Sequence, residues 1–151
     1  EDKVSDDYVD TIGLAAPLCD IGNIGVPMDV LRKAQVTEEE NAIVRSHTDI
    51  GAKLLRDLHV GNDYNDFISA AIDIARCHHE NWDGSGYPDG RKENEIPLAA
   101  QIVSIMEAYC DLTEKGGCSR EEALESMKKE AGVKFNPAIL EICCKISRQL
   151  C

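Results

Sequence analysis

The sequence has no apolar run close to the roughly 18 residues that a bilayer-spanning helix needs, and no pattern of a cleaved secretory leader. A soluble, cytoplasmic domain is therefore expected. Positive charge is also scarce: 16 Lys and Arg stand against 28 Asp and Glu, a formal net charge of −12. Binding DNA or RNA by counterion release needs a Lys/Arg surface, so no nucleic-acid partner is expected. A phosphate-bearing ligand would need local cations, from metal or from a few side chains, working against the field of the whole chain. Cys-x-x-Cys pairs are missing too. The cysteines Cys19, Cys77, Cys110, Cys118, Cys143, Cys144 and Cys151 are odd in number and several fall on helix-patterned faces, as a reducing compartment permits. Most are expected to be small core hydrophobes. An initiator Met is lacking as well, and a fragment of a longer protein is expected.

What is present suffices for one core. At 151 residues and 43% hydrophobic content, residues 1–151 read as a single domain. Helical periodicity runs almost throughout. Ser5 caps a first helix that presents Tyr8, Ile12 and Cys19, with Pro17 as its kink or end. A turn-rich connection, Asp20 to Pro27, leads to a short helix ending near Lys33. Thr37 and Glu40 form a capping box for one long helix whose inner face is Ile43, His47, Ile50, Leu54 and Leu58. A helix from about Asn62 or Asp63 carries Tyr64, Phe67, Ile68, Ala71, Ile72 and Ala75 inward, and His78 and His79 continue that stripe. Two helices thereby deliver imidazoles to one interior. Further helices begin at Leu98 (face Leu98, Ile102, Ile105, Tyr109, Leu112), at Ser119 with Glu122, and at Asn136-Pro137 (Ile139, Cys143, Ile146, Leu150). About seven helices and no strand are predicted, an all-α bundle.

The most informative stretch is His78-His79-Glu80-Asn81-Trp82-Asp83-Gly84-Ser85-Gly86-Tyr87-Pro88-Asp89-Gly90, adjacent imidazoles followed by a rigid glycine-rich loop. It resembles the signature of HD-GYP domains, bacterial members of the HD metallophosphohydrolase superfamily that hydrolyse cyclic di-GMP. The resemblance extends to Leu18–Pro27, to Glu39, His47 and Gly51, to Ile96-Pro97-Leu98-Ala99-Ala100, and to Gly132, Phe135 and Pro137. It implies an HD-superfamily helical bundle, a metal shell of Asp20, His47, His78 and His79, and a further acidic ligand at Glu107. Asp20 is then the catalytic candidate, with water activated by metal, and Gly86, Tyr87 and Pro88 form the ligand-binding loop. Tyr87 either stacks on a guanine base or is a half-buried loop aromatic.

Several family positions are changed. Cys19 replaces the His of the His-Asp pair, and Asn23 the Lys that meets the ligand phosphate. Gln101 stands for an Arg, Glu107 for an Asp and Cys110 for a second Asp, and the first family helix, a source of further ligands, is expected to lie outside this chain or to be absent. Arg91 and Lys92, just after the loop, could compensate for the lost cations, but a solvated surface pair is the simpler reading. Cys19 offers either a thiolate that favours zinc or, more simply, an inert thiol. The expectation is at most one well-formed site for divalent iron, manganese or zinc. A catalytically degenerate regulatory module of bacterial signalling follows, with weakened binding of cyclic di-GMP or a diguanylate-cyclase-type partner. The alternative is an active phosphodiesterase giving the linear dinucleotide or GMP.

Overall fold

A computed structural model describes residues 4–58 and 65–147. The chain divides into two compact units, residues 1–78 and 79–151.

In the first unit the Ser5 hydroxyl accepts the Tyr8 N–H at 3.2 Å and opens α1, Asp6–Ala15. Pro17 cannot extend an α-helical ladder, and the chain tightens into a 3₁₀ turn at Ala16–Leu18. The expected turn-rich connection holds a second 3₁₀ segment, Ile21–Gly25, before α2, Met28–Leu31, whose N-cap is Pro27. The Thr37/Glu40 capping box is formed and starts α3, Glu38–Arg45. Here the structure corrects the expected long helix, which stops at Ser46 and resumes as α4, His47–Leu58.

The break has a local cause. Three successive side chains, Ser46, His47 and Thr48, donate to the three successive carbonyls of Ile43, Val44 and Arg45, at 2.6, 2.6 and 3.0 Å. Side chains that satisfy backbone acceptors in this way compete with the helical ladder. The break also shifts the buried stripe. His47, Thr48, Gly51, Ala52 and Leu55 are inside, whereas Ile43 and Leu58, expected there, are 40% and 62% exposed.

Asn65 caps α5, Asp66–Cys77, through the Ile68 N–H at 3.3 Å. The expected start at Asn62 or Asp63, and Tyr64, lie outside the described residues. The buried face of α5 is Ala70, Ala71, Ile74, Ala75 and Cys77. Its small residues let α4 approach closely: a Cβ on Gly51 would stand 3.4 Å from that of Ala75. An ion pair between Arg76 and Asp49 also joins these two helices.

In the second unit Pro97 leads into α6, Leu98–Cys110, which widens into a π-helical turn, Asp111–Lys115, and stops at Gly116. Ser119 and Glu122 form the expected capping box of α7, Arg120–Lys128, and Asn136 caps α8, Pro137–Ile146. Ile105, Tyr109, Ala123, Leu124, Met127, Phe135, Leu140 and Cys143 make this unit's core. Leu98 and Ile146, placed inside by periodicity, are 38% and 43% exposed, because each lies in a terminal turn of its helix. Leu150 and Cys151 lie outside the described residues. The fold is all-α. The seven expected helices are present, one of them as two segments, and the described residues contain no strand, only an isolated bridge between Ala131 and Phe135.

The turn that carries Asp20 is pressed onto α4 at Gly22, where a Cβ would lie 1.8 Å from the His47 carbonyl oxygen and 2.6 Å from the Gly51 nitrogen. Gly22→Ala should therefore cost about 2 kcal/mol or more, since backbone on both sides must move. Gly13→Ala, with nothing within 4 Å of its new methyl, should stabilise α1 by roughly 0.5–1 kcal/mol. Urea unfolding followed by circular dichroism separates the two; equal effects would show that Gly22 is not a contact point.

Candidate metal centre

The break before α4 and the end of α5 aim two imidazoles at each other. His47 is anchored by Nδ1 on the Val44 carbonyl at 2.6 Å, and His78, the C-cap of α5, by Nδ1 on the Ile74 carbonyl at 2.9 Å. A carbonyl only accepts, so in both rings the proton sits on Nδ1 and Nε2 presents a lone pair. Those two Nε2 atoms face each other at 3.5 Å. The Asp20 Oδ1 lies 3.4 Å from the Nε2 of His47 and 3.8 Å from that of His78.

With both rings neutral, three electron-pair donors converge with no hydrogen to share between the two rings. Protonating one imidazole would relieve this, but His78 is 1% exposed, and burial is the main reason its imidazolium is held below the ordinary histidine range. The Ile74 carbonyl and the Asp20 carboxylate pull the other way without overcoming it. A divalent cation fits instead. Donors at about 2.1 Å from a tetrahedral ion stand about 3.4 Å apart, close to the separations seen here. The backbone carbonyls act as the outer partners that fix tautomer and ring orientation in histidine metal sites. Nitrogen and carboxylate donors of this kind suit iron, manganese or zinc alike.

His79 is peptide-bonded to His78 and opens the second unit. Its ring stacks on Tyr87, with centroids 4.9 Å apart and planes 22° from parallel. The loop between them folds back on itself. Tyr87 N–H donates to the His79 carbonyl at 3.2 Å, and a Cβ on Gly86 would stand 2.5 Å from that same oxygen. Glu80, 2% exposed, closes the loop by accepting the backbone N–H groups of Asp89 and Arg91 at 2.7 and 3.0 Å. In the sequence Glu80 is only part of the motif; the signal for this role is an acid set directly between two histidines and a glycine-rich loop.

The remaining site positions fall in both units. Cys19 and Asn23 flank Asp20 in the first, both half-buried. Glu107, on α6, lines a cavity with His79, Ser104 and Asp111. Gln101 has become a structural brace: its amide donates to the Ile96 carbonyl at 2.7 Å, and its oxygen accepts from Asn136 at 2.8 Å. Burial, helped by the carboxylates of Glu114 and Asp111, pushes the Cys110 thiol up, so it stays protonated at neutral pH. Arg91, read as solvated, pairs with Asp89 at 3.3 Å.

The sequence model of the HD domain family matches residues 1–139, and the chain belongs to that family. It is 34% identical over 152 residues to a cyclic di-GMP phosphodiesterase of Thermotoga maritima, an alignment covering 97% of this chain and 40% of that protein. It is 35% identical to the cyclic di-GMP phosphodiesterase response regulator RpfG of Xanthomonas campestris, covering 97% and 39%. Among solved structures, an HDG"Y"P protein of Bdellovibrio bacteriovorus superposes with TM-score 0.72 at 22% identity, covering 95% of this chain and 45% of that one. The chain thus spans about two fifths of the length of these curated relatives.

The depressed His78 value fixes a sign. The unfolded chain takes up this proton at the ordinary value near 6.5, before the folded chain does. The stability is therefore complete above about pH 6.5 and is lost as the pH falls toward the folded value. The metal-free domain should melt at a lower temperature at pH 5.5 than at pH 7.5, and His78→Gln should reduce that difference. An undiminished pH dependence in the variant would mean that another group titrates.

Proposed function

We propose that this chain is an HD-GYP domain that holds one divalent metal with Asp20, His47, His78 and His79 and binds a cyclic dinucleotide with little hydrolytic turnover, as a regulatory module. The observation that carries the reading is the pair of facing Nε2 lone pairs beside a carboxylate. The names of the relatives support cyclic di-GMP as the ligand. A bound divalent ion supplies Lewis acidity toward a phosphate oxygen and lowers the pKa of water. The chain's own part is to hold that ion: His47 and His78 present fixed nitrogens, and half-exposed Asp20 faces them from the solvent side.

The expectation of low turnover rests on what the neighbouring positions can no longer do. Asn23 is neutral and cannot offset phosphate charge as a Lys would. Gln101 is neutral as well, and both ends of its amide are already engaged. The protonated Cys110 is a poor ligand where a carboxylate would be a good one. A second reading, an active phosphodiesterase, is favoured by one observation: Glu107, a metal-ligating residue type, shares a cavity with His79.

Incubating the metal-loaded protein with cyclic di-GMP and separating the products distinguishes these readings. The expected result is saturable binding with the ligand recovered intact over hours, and loss of binding in His78→Ala. Steady conversion to the linear dinucleotide or GMP, abolished in His78→Ala, would establish the enzyme reading. Absence of both binding and hydrolysis would overturn the cyclic-dinucleotide assignment.

A further inference from the structure

We propose that Lys134 is a phosphate-binding residue, the side chain that holds a phosphate of the ligand beside His79; this rests on the cyclic-dinucleotide reading above. Lys134 lies in the turn between α7 and α8, and its backbone is tied to the loop that follows the histidines. The Trp82 N–H donates to the Lys134 carbonyl at 3.1 Å, and the Asp83 N–H to the Val133 carbonyl at 2.9 Å. Lys134 lines a cavity of about 90 Å³ together with His79, Ser104, Glu107 and Asp111. A space of that size is too small for a nucleotide and suits a single phosphate group.

Charge makes Lys134 the fitting anion partner there. It is the one Lys or Arg among the described residues lining this cavity. Its Nζ lies 5.2 Å from the Phe135 ring centroid. The nearby Asp111 is instead paired with Lys115 at 2.7 Å. Ser104 lines the same cavity. In a chain of net charge −12, with neutral Asn23 and Gln101, a phosphate needs a local cation, and Lys134 provides it. The competing role is charge balance for Glu107 and Asp111, which would affect folding but not ligand affinity.

The test is calorimetric titration of the metal-loaded parent, Lys134→Met and Lys134→Arg with cyclic di-GMP, and separately with inorganic pyrophosphate. Thermal melts and metal analysis of each variant accompany the titrations. Lys134→Met should keep its metal and fold yet bind cyclic di-GMP about tenfold more weakly or worse, with a flatter salt dependence. Lys134→Arg should stay within about threefold of the parent. Equal affinity of parent and Lys134→Met for cyclic di-GMP would overturn the proposal, and so would a lowered melting temperature with unchanged affinity. If the parent does not bind cyclic di-GMP, pyrophosphate decides. Tighter binding by the parent than by Lys134→Met keeps the phosphate site while the cyclic-dinucleotide reading falls. Indistinguishable pyrophosphate titrations would remove Lys134 as well.

Discussion

Two imidazoles with their protons committed to backbone carbonyls cannot hydrogen-bond to each other, yet His47 and His78 face Nε2 to Nε2 at 3.5 Å with a carboxylate alongside. Much of the first unit is arranged to hold this confrontation. The interruption at Ser46 turns the His47 ring onto Val44, and the end of α5 turns the His78 ring onto Ile74. Gly22 lets the Asp20 turn rest directly on the backbone of α4. Alanines along α5 permit the close approach of the helices that bear the rings. The proposed cation would relieve this repulsion, and burial makes a proton the costlier choice at His78.

In the second unit the constraint is a different one, the fixing of a glycine-rich loop against the residue that begins it. Glu80 satisfies two loop N–H groups, Tyr87 returns its own N–H to His79 and covers its ring, and Gly86 leaves room for both. Tyr87, open in the sequence to base stacking or to a half-buried loop role, stacks on an imidazole. Tyr87 restrains the orientation of His79, as its proposed role as a ligand would require.

Much of this was legible in the sequence, and for identifiable reasons. The all-α class, the caps at Ser5, Thr37 and Ser119, and the inward direction of His47 follow from short-range rules of spacing and hydrogen bonding that hold in any context. The motif around His78 and His79 located the site. The break at Ser46 was not legible, because Ser-His-Thr within an amphipathic pattern reads as ordinary helix until the three side chains are seen to reach back to three carbonyls. Glu80 and Gln101 were opaque for a related cause: each acts through partners between 5 and 35 positions away in the chain, whose proximity only the fold creates. Gln101 stands where the resemblance implies a cation, and in the structure it is a brace between the start of α6 and the cap of α8.

Metal content per chain tests the central claim most directly, by elemental analysis of protein purified without chelator and supplied with iron, manganese and zinc. One equivalent, lost in Asp20→Ala and in His78→Ala while the helical circular dichroism is retained, is the predicted result. No bound metal, with the two histidines unaffected by added ions in NMR spectra, would contradict the account and leave His47 and His78 as residues of an ordinary core.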